Sequence, residues 1–147
     1  MVHAGAGMWN GSSSTDWNTA GNWDGGVPDA GNATINLVPA NVCAITSTPA
    51  YKPVDILIGT AAGTTGRVDH IAGSITQNVI GATGNWVIIG AGDATGIGAY
   101  NLADTSGTGG TLTGFAQGSG SMTIGKLWVV GRDNAAGTGT FNMNTTG

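Results

Sequence analysis

The sequence contains no glutamate: all eight of its acids are Asp, and its only basic side chains are Lys52, Arg67, Lys126 and Arg132. Helices in soluble proteins draw on Glu, Lys, Arg, Gln and Leu, so this poverty argues against a helical fold. Four scattered cations under a formal net charge of −4 form no basic patch, which removes nucleic acid from the candidate partners. A single cysteine, Cys43, excludes an internal disulfide and reads as a small core residue beside Val42 and Ile45. No apolar run approaches the roughly 18 residues that a membrane-spanning helix needs, so no transmembrane segment is expected. With His3 and His70 as the only histidines, an ordinary three-histidine metal site is excluded. The opening MVHAGAG has neither the charged nor the apolar region of a signal peptide, yet the composition suits an extracellular protein. The expectation is a secreted or cell-surface protein whose leader has been removed.

What the sequence does contain is an alphabet of turns and strands. Its 147 residues include 28 Gly, together with abundant Thr, Asn, Ser and Asp, and the length suits a single structural domain. Three segments align on a Gly that follows an apolar run: DILIG from Asp55, WVIIG from Trp86 and LWVVG from Leu127. Each continues through a turn of small residues to a second Gly (Gly66, Gly98 or Gly139). A short alternating stretch follows: Arg67-Val68-Asp69-His70, Ala99-Tyr100-Asn101-Leu102 or Thr140-Phe141-Asn142-Met143. Alternation with period two predicts half-buried strands. A third short strand follows as Ser74-Ile75-Thr76 and Thr111-Leu112-Thr113, with a related piece at Ser121-Met122-Thr123.

Strand, Gly turn and strand, repeated, is the pattern of a β-solenoid whose coils bury their inward side chains only by stacking. The key glycines Gly59, Gly90 and Gly131 are 31 and then 41 residues apart, so residues 113–126 are expected to loop out between coils. Both alternating faces of the first strand in each coil are apolar, one carrying Ile56 and Ile58, the other Leu57, Trp86 and Ile88. The outer ribbon is therefore expected to be covered by the N-terminal segment, another chain or a ligand.

One motif competes with this reading. In WVIIGAGDATGIGAY a strand-like run leads into GAGxxxG, as in dinucleotide-binding folds. That site needs a helix after the turn, and the following AYNLADTSGTGGTLTG is too rich in Gly, Thr and Asn to supply one. The same slot recurs in the other two copies, so the glycines read as coil corners and no cofactor is expected.

Residues 1–53 differ in kind from the repeats in 54–147. Trp9, Trp17 and Trp23 stand eight and six residues apart among Gly, Ser, Asn and Asp, with strands expected at 33–37 and 41–46. A solenoid needs an atypical terminal unit over its first coil, and this segment reads as that cap. The succession of Trp9, Gly11, Trp17, Ala20, Asn22, Trp23 and Pro28 resembles the opening of large secreted bacterial β-solenoid proteins with autotransporter-type repeats. Residues 127–147 resemble those repeats. The resemblance implies a right-handed parallel β-helix of roughly three coils, carried on a longer surface polypeptide, in a group that includes adhesins, polysaccharide-binding modules and polysaccharide lyases.

Each candidate site has a plain structural alternative. Asp93, Asp133 and Asn134 lie in the Gly turns, where stacked oxygens could bind calcium or simply close turns through their own backbone. Arg67, Asp69 and His70 are suitable types for lyase chemistry on acidic sugars, but His70 aligns with Leu102 and Met143 on the inward face. Aromatic rings that stack on sugars carry the leading reading. Trp86 lies on the outer ribbon, and Tyr100 joins it if the alternation runs the other way. Trp9, Trp17 and Trp23 join it if the cap leaves them uncovered; otherwise they plug the solenoid end. The expected function is a noncatalytic carbohydrate-binding or adhesion module for polysaccharide or a cell-surface glycan. A β-helix polysaccharide-degrading enzyme and a structural spacer are the alternatives, with self-association expected through the apolar ribbon or the coil end.

Overall fold

The computed structural model describes residues 5–78, 86–90, 95–102, 121–123, 127–130 and 138–143. Within them the chain is all β, apart from one turn of 3-10 helix at Ala20–Asn22. No helix among the described residues is long and apolar enough to cross a membrane.

The repeat is real and in register. Coil one comprises β5 (Ile56–Ile58), β6 (Thr65–His70) and β7 (Ser74–Thr76), and coil two β8 (Trp86–Ile89), β9 (Ile97–Leu102) and β10 (Ser121–Thr123), while β11 (Leu127–Val130) and β12 (Thr138–Met143) begin coil three. The N-terminal segment supplies β1 (Gly5–Trp9), β2 (Trp23–Asp24), β3 (Ala30–Ile35) and β4 (Cys43–Ile45). Like strands stack into three sheets, ordered β11-β8-β5-β3-β1-β2, β12-β9-β6-β4 and β10-β7, and every pairing is parallel except β1 with β2. This is a parallel β-solenoid of three stacked coils, with β3 and β4 as a partial coil beneath them. Gly66, Gly98 and Gly139 are register partners, as are Val68, Tyr100 and Phe141.

One expectation needs correcting. The partner of β7 is Ser121–Thr123, so the stretch 113–126 is not looped out as a whole. Residues 111–113, the expected third strand of coil two, lie outside the described residues.

Because strand side chains alternate, in-register stacking makes columns of the inward ones. Ile35, Ile58 and Ile89 form one column, Ala33, Ile56 and Val87 a second, Cys43, Val68 and Tyr100 a third, all fully buried. Full burial of an Ile or Val side chain contributes about 1.5–3 kcal/mol, so the columns are the main adhesive between coils. The Cys43 thiol, with no disulfide partner, lies in this core, where burial raises its pKa well above the ordinary value.

The corners explain the glycines. Gly59 and Gly90 adopt φ values of +61° and +63°, the left-handed region, and their N–H groups donate to the carbonyls of Ile35 (2.9 Å) and Ile58 (2.8 Å) in the coil below. The second glycine of each coil packs over that bond. A Cβ on Gly66 would run into the Ile35 carbonyl and the Gly59 nitrogen, and one on Gly98 into the Ile58 carbonyl and the Gly90 nitrogen. GAGDATG is thus the start of a corner, although residues 91–94 within it lie outside the described residues.

The cap works as a plug and as an edge cover. Trp9 and Trp17 are 0% exposed and Trp23 3%, with ring centroids 5.0 Å (Trp9–Trp23) and 4.8 Å (Trp17–Trp23) apart in edge-to-face packing. Asn22, fully buried, ties the loop before it: its Oδ1 accepts the N–H groups of Ser13 and Ser14, and its Nδ2 donates to the Asp16 carbonyl and Ser14 Oγ. Thr15 to Trp17 lie along the free edge of β4, with Ala44 N donating to Thr15 O and Trp17 N to Ala44 O. Within the described residues β1 joins the first sheet at its edge, beside β3.

Two substitutions separate the two demands on corner glycines. Gly63 has φ +69° but only Thr95 Oγ1, at 3.9 Å, near its missing Cβ. Gly63→Ala is expected to cost about 1–2 kcal/mol, the price of a left-handed Ala alone. Gly66→Ala, which must push coils apart, is expected to cost more than about 3 kcal/mol. Urea unfolding of both variants beside the parent chain checks the order.

Candidate functional site

The outer face of the first sheet carries a row of side chains set by strand register. Met8 pairs with Thr34, Thr34 with Leu57 and Leu57 with Ile88, and the register position continues to Val129. Met8 is 49% exposed, while Thr34, Leu57 and Ile88 are half-buried. Trp86 lies two residues before Ile88 on the same face, also half-buried, and its register partner is Leu127. The result is a row of apolar side chains across the coils, interrupted by Thr34, with Asp55 two residues before Leu57 on the same face.

The main chain of Trp86 is held on both sides of its Cα. Its N–H donates to Asp55 Oδ1 at 2.9 Å, and its carbonyl accepts Gln77 Nε2 at 2.9 Å. Gln77 is 4% exposed and also donates to the Val54 carbonyl (2.8 Å), so one amide clamps two adjacent coils. Neither residue was singled out from the sequence. A signal was present for Asp55, which occupies the slot of Trp86 and Leu127 when the three repeats are aligned on their key glycines. Gln77 follows β7 and has no counterpart in that alignment.

The other aromatic candidates are corrected. Tyr100 is fully buried, its ring tilted against Phe141 with centroids 5.9 Å apart, and its hydroxyl bonded to His70. Trp9, Trp17 and Trp23 are buried in the cap, so they offer no face to a sugar. Indole rings that plug the solenoid end bury too much apolar surface to be left in water.

Arg67, Asp69 and His70 come together, but not as a catalytic group. Arg67 and Asp69 share the outer face of β6 and pair through two bonds, Nε to Oδ1 and Nη2 to Oδ2, each 2.8 Å. They are only 2% and 3% exposed, and Asn101 from the next coil donates to Asp69 Oδ1 at 2.8 Å. Arg67 Nη1 is buried without a hydrogen-bond partner. A buried pair of this kind is strongly destabilised by loss of either member, which gives both residues a structural reason to be present.

His70 points inward and is 0% exposed. Its Nε2 lies 3.1 Å from the Gly73 carbonyl, which can only accept, so Nε2 carries the proton and Nδ1 accepts from the Tyr100 hydroxyl at 2.7 Å. Burial, partly offset by hydrogen bonds to the Gly73 and Ala72 backbone, lowers the His70 pKa from its ordinary value. Burial, reinforced by nearby Cys43, raises that of Tyr100 well above its own. Both groups stay neutral at pH 7, and neither has a route to substrate.

Asp93, Asp133 and Asn134, the calcium candidates, lie outside the described residues, as does His3. Among the described residues no three His, Cys, Asp or Glu side chains gather as a metal site. No family model, curated protein or solved structure matches the chain.

The depressed His70 pKa makes stability depend on pH. The unfolded chain binds this proton more readily than the folded one, so the contribution is complete above the ordinary value of 6.5 and is lost as the pH falls below it. Urea midpoints measured over roughly pH 5 to 8, the window in which His titrates, are expected to fall on acidification. His70→Gln, which keeps a donor and an acceptor but cannot ionise, is expected to flatten that slope.

Proposed function

We propose that the protein is a noncatalytic carbohydrate-binding or adhesion module working outside the cell, which holds polysaccharide or a cell-surface glycan against the strip around Trp86. The observation that carries this reading is the position of Trp86: a half-buried residue on the outer face, its backbone held by Asp55 and Gln77, beside half-buried Leu57 and Ile88. Sugar rings with equatorial substituents have apolar faces of C–H bonds, and a flat aromatic and aliphatic surface matches them. Asp55 and Gln77 hold the backbone that carries the ring, so the strand beneath it is already ordered before binding. The low charge, the all-β scaffold and the resemblance of the cap and repeats to secreted β-solenoids support the same reading. Of the groups weighed for lyase chemistry, Arg67 and Asp69 are engaged with each other and His70 is turned into the core.

Retention on a panel of insoluble and soluble polysaccharides tests the proposal. The parent chain is expected to be retained by at least one of them. Trp86→Ala is expected to weaken that retention at least about tenfold, equivalent to about 1.4 kcal/mol, while keeping the β-type circular dichroism. Release of unsaturated or reducing ends points instead to an enzyme, and retention by none of the polysaccharides points to the spacer.

A further inference from the structure

We infer that the polysaccharide lies across the strands, along the axis of the solenoid, and is an extended, unbranched chain held over several consecutive rings; this rests on the carbohydrate reading above and names its ligand class. The direction comes from where the outward apolar side chains stand. β1 and β5 each present one large apolar side chain on the outer face, Met8 and Leu57, and β8 presents two, Trp86 and Ile88, while β3 presents Thr34. A ligand laid along any one of these strands meets a patch no more than two side chains long. Across the strands, the register joins Met8, Thr34, Leu57 and Ile88 into a single row over four strands of one sheet.

Neighbouring strands stand about 4.8 Å apart, so the row from Met8 to Ile88 is about 14 Å long. A pyranose unit in an extended chain has nearly the length of one strand interval, so successive rings fall over successive strands and the whole row takes about four rings. Every member of the row reaches solvent, Met8 at 49% exposed and Thr34, Leu57 and Ile88 half-buried. The row is set by hydrogen-bonded strands, so it is ordered before a ligand arrives. Ring edges carry hydroxyls, and Thr34 gives the row one hydroxyl to meet them. An extended chain stays in contact along the row, and its contact energy grows ring by ring with the apolar area covered. A glucan that coils through α-linkages turns its apolar faces away after a few rings, and a side branch holds the chain off the surface.

Oligosaccharides of two to six units, cut from whichever polymer retains the full chain, are used as competitors of that retention. Competition is expected to strengthen severalfold with each added unit up to about four units and then to level off, as the row length requires. Met8→Ser, at the cap end of the row, and Leu57→Thr, in its middle, are each expected to weaken retention severalfold with unchanged circular dichroism, although Met8 stands three strands away from Ile88. Competition that levels off at two units overturns the inference, as does retention on a coiled α-linked glucan in preference to extended β-linked ones. So does retention of both variants equal to that of the parent. Each of these results leaves the carbohydrate reading intact if Trp86→Ala still weakens retention. Retention by no polysaccharide at all overturns the carbohydrate reading, and the inference about its ligand with it.

Discussion

Coils can stack in register only where their corners bring backbone against backbone, and in each of the first two coils a pair of glycines meets that condition. Gly59 and Gly90 turn the chain through the left-handed region and each donate a hydrogen bond to the coil below; Gly66 and Gly98 then pack directly over that bond. Everything else depends on this contact. It sets the register, the register aligns Ile35 with Ile58 and Ile89 inside the solenoid, and the same register aligns Leu57 with Ile88 outside it. The core and the candidate binding strip are thus two faces of one alignment.

The buried polar groups follow the same logic. A solenoid wall brings equivalent residues of neighbouring coils side by side, so a polar side chain that is buried finds its partner one coil away or two residues along its own strand. Asp69 does both, accepting from Arg67 on β6 and from Asn101 on β9. His70 and Tyr100 join the same two coils on the inner face. Side chains with the chemistry of an active site are here consumed in holding coils together, because in a wall this thin a buried charge without a partner costs more than the fold can spare.

Much of the fold was legible because its repeat is written in small residues at fixed places. Gly59 with Gly90 and Gly66 with Gly98 could be aligned from the sequence, and the inward placement of Val68, His70 and Leu102 followed from period-two alternation. Thr111-Leu112-Thr113 and Ser121-Met122-Thr123 share pattern and propensity, so the sequence alone could not say that Ser121-Met122-Thr123 is the stretch that pairs with β7. The candidate site was half legible. Trp86 could be put on the outer face by counting back from Gly90, whereas the burial of Trp9, Trp17 and Trp23 depends on how three distant turns converge. The clamp by Gln77 is a contact between segments that no local pattern announces.

The unequal spacing of the repeats has a consequence for how such a protein can change over generations. Three residues, 71–73, separate β6 from β7, whereas 18, residues 103–120, separate β9 from β10, yet β10 returns to pair with β7 in register. Closure entropy grows only with the logarithm of connection length, so a sixfold increase adds about 1.6 kcal/mol, comparable to the burial of one Val or Ile side chain. The solenoid can therefore accept new sequence at this point for little loss of stability, provided the next strand finds its place. Descendants of this chain would be expected to diverge first between Leu102 and Ser121, while the glycine corners stay as they are.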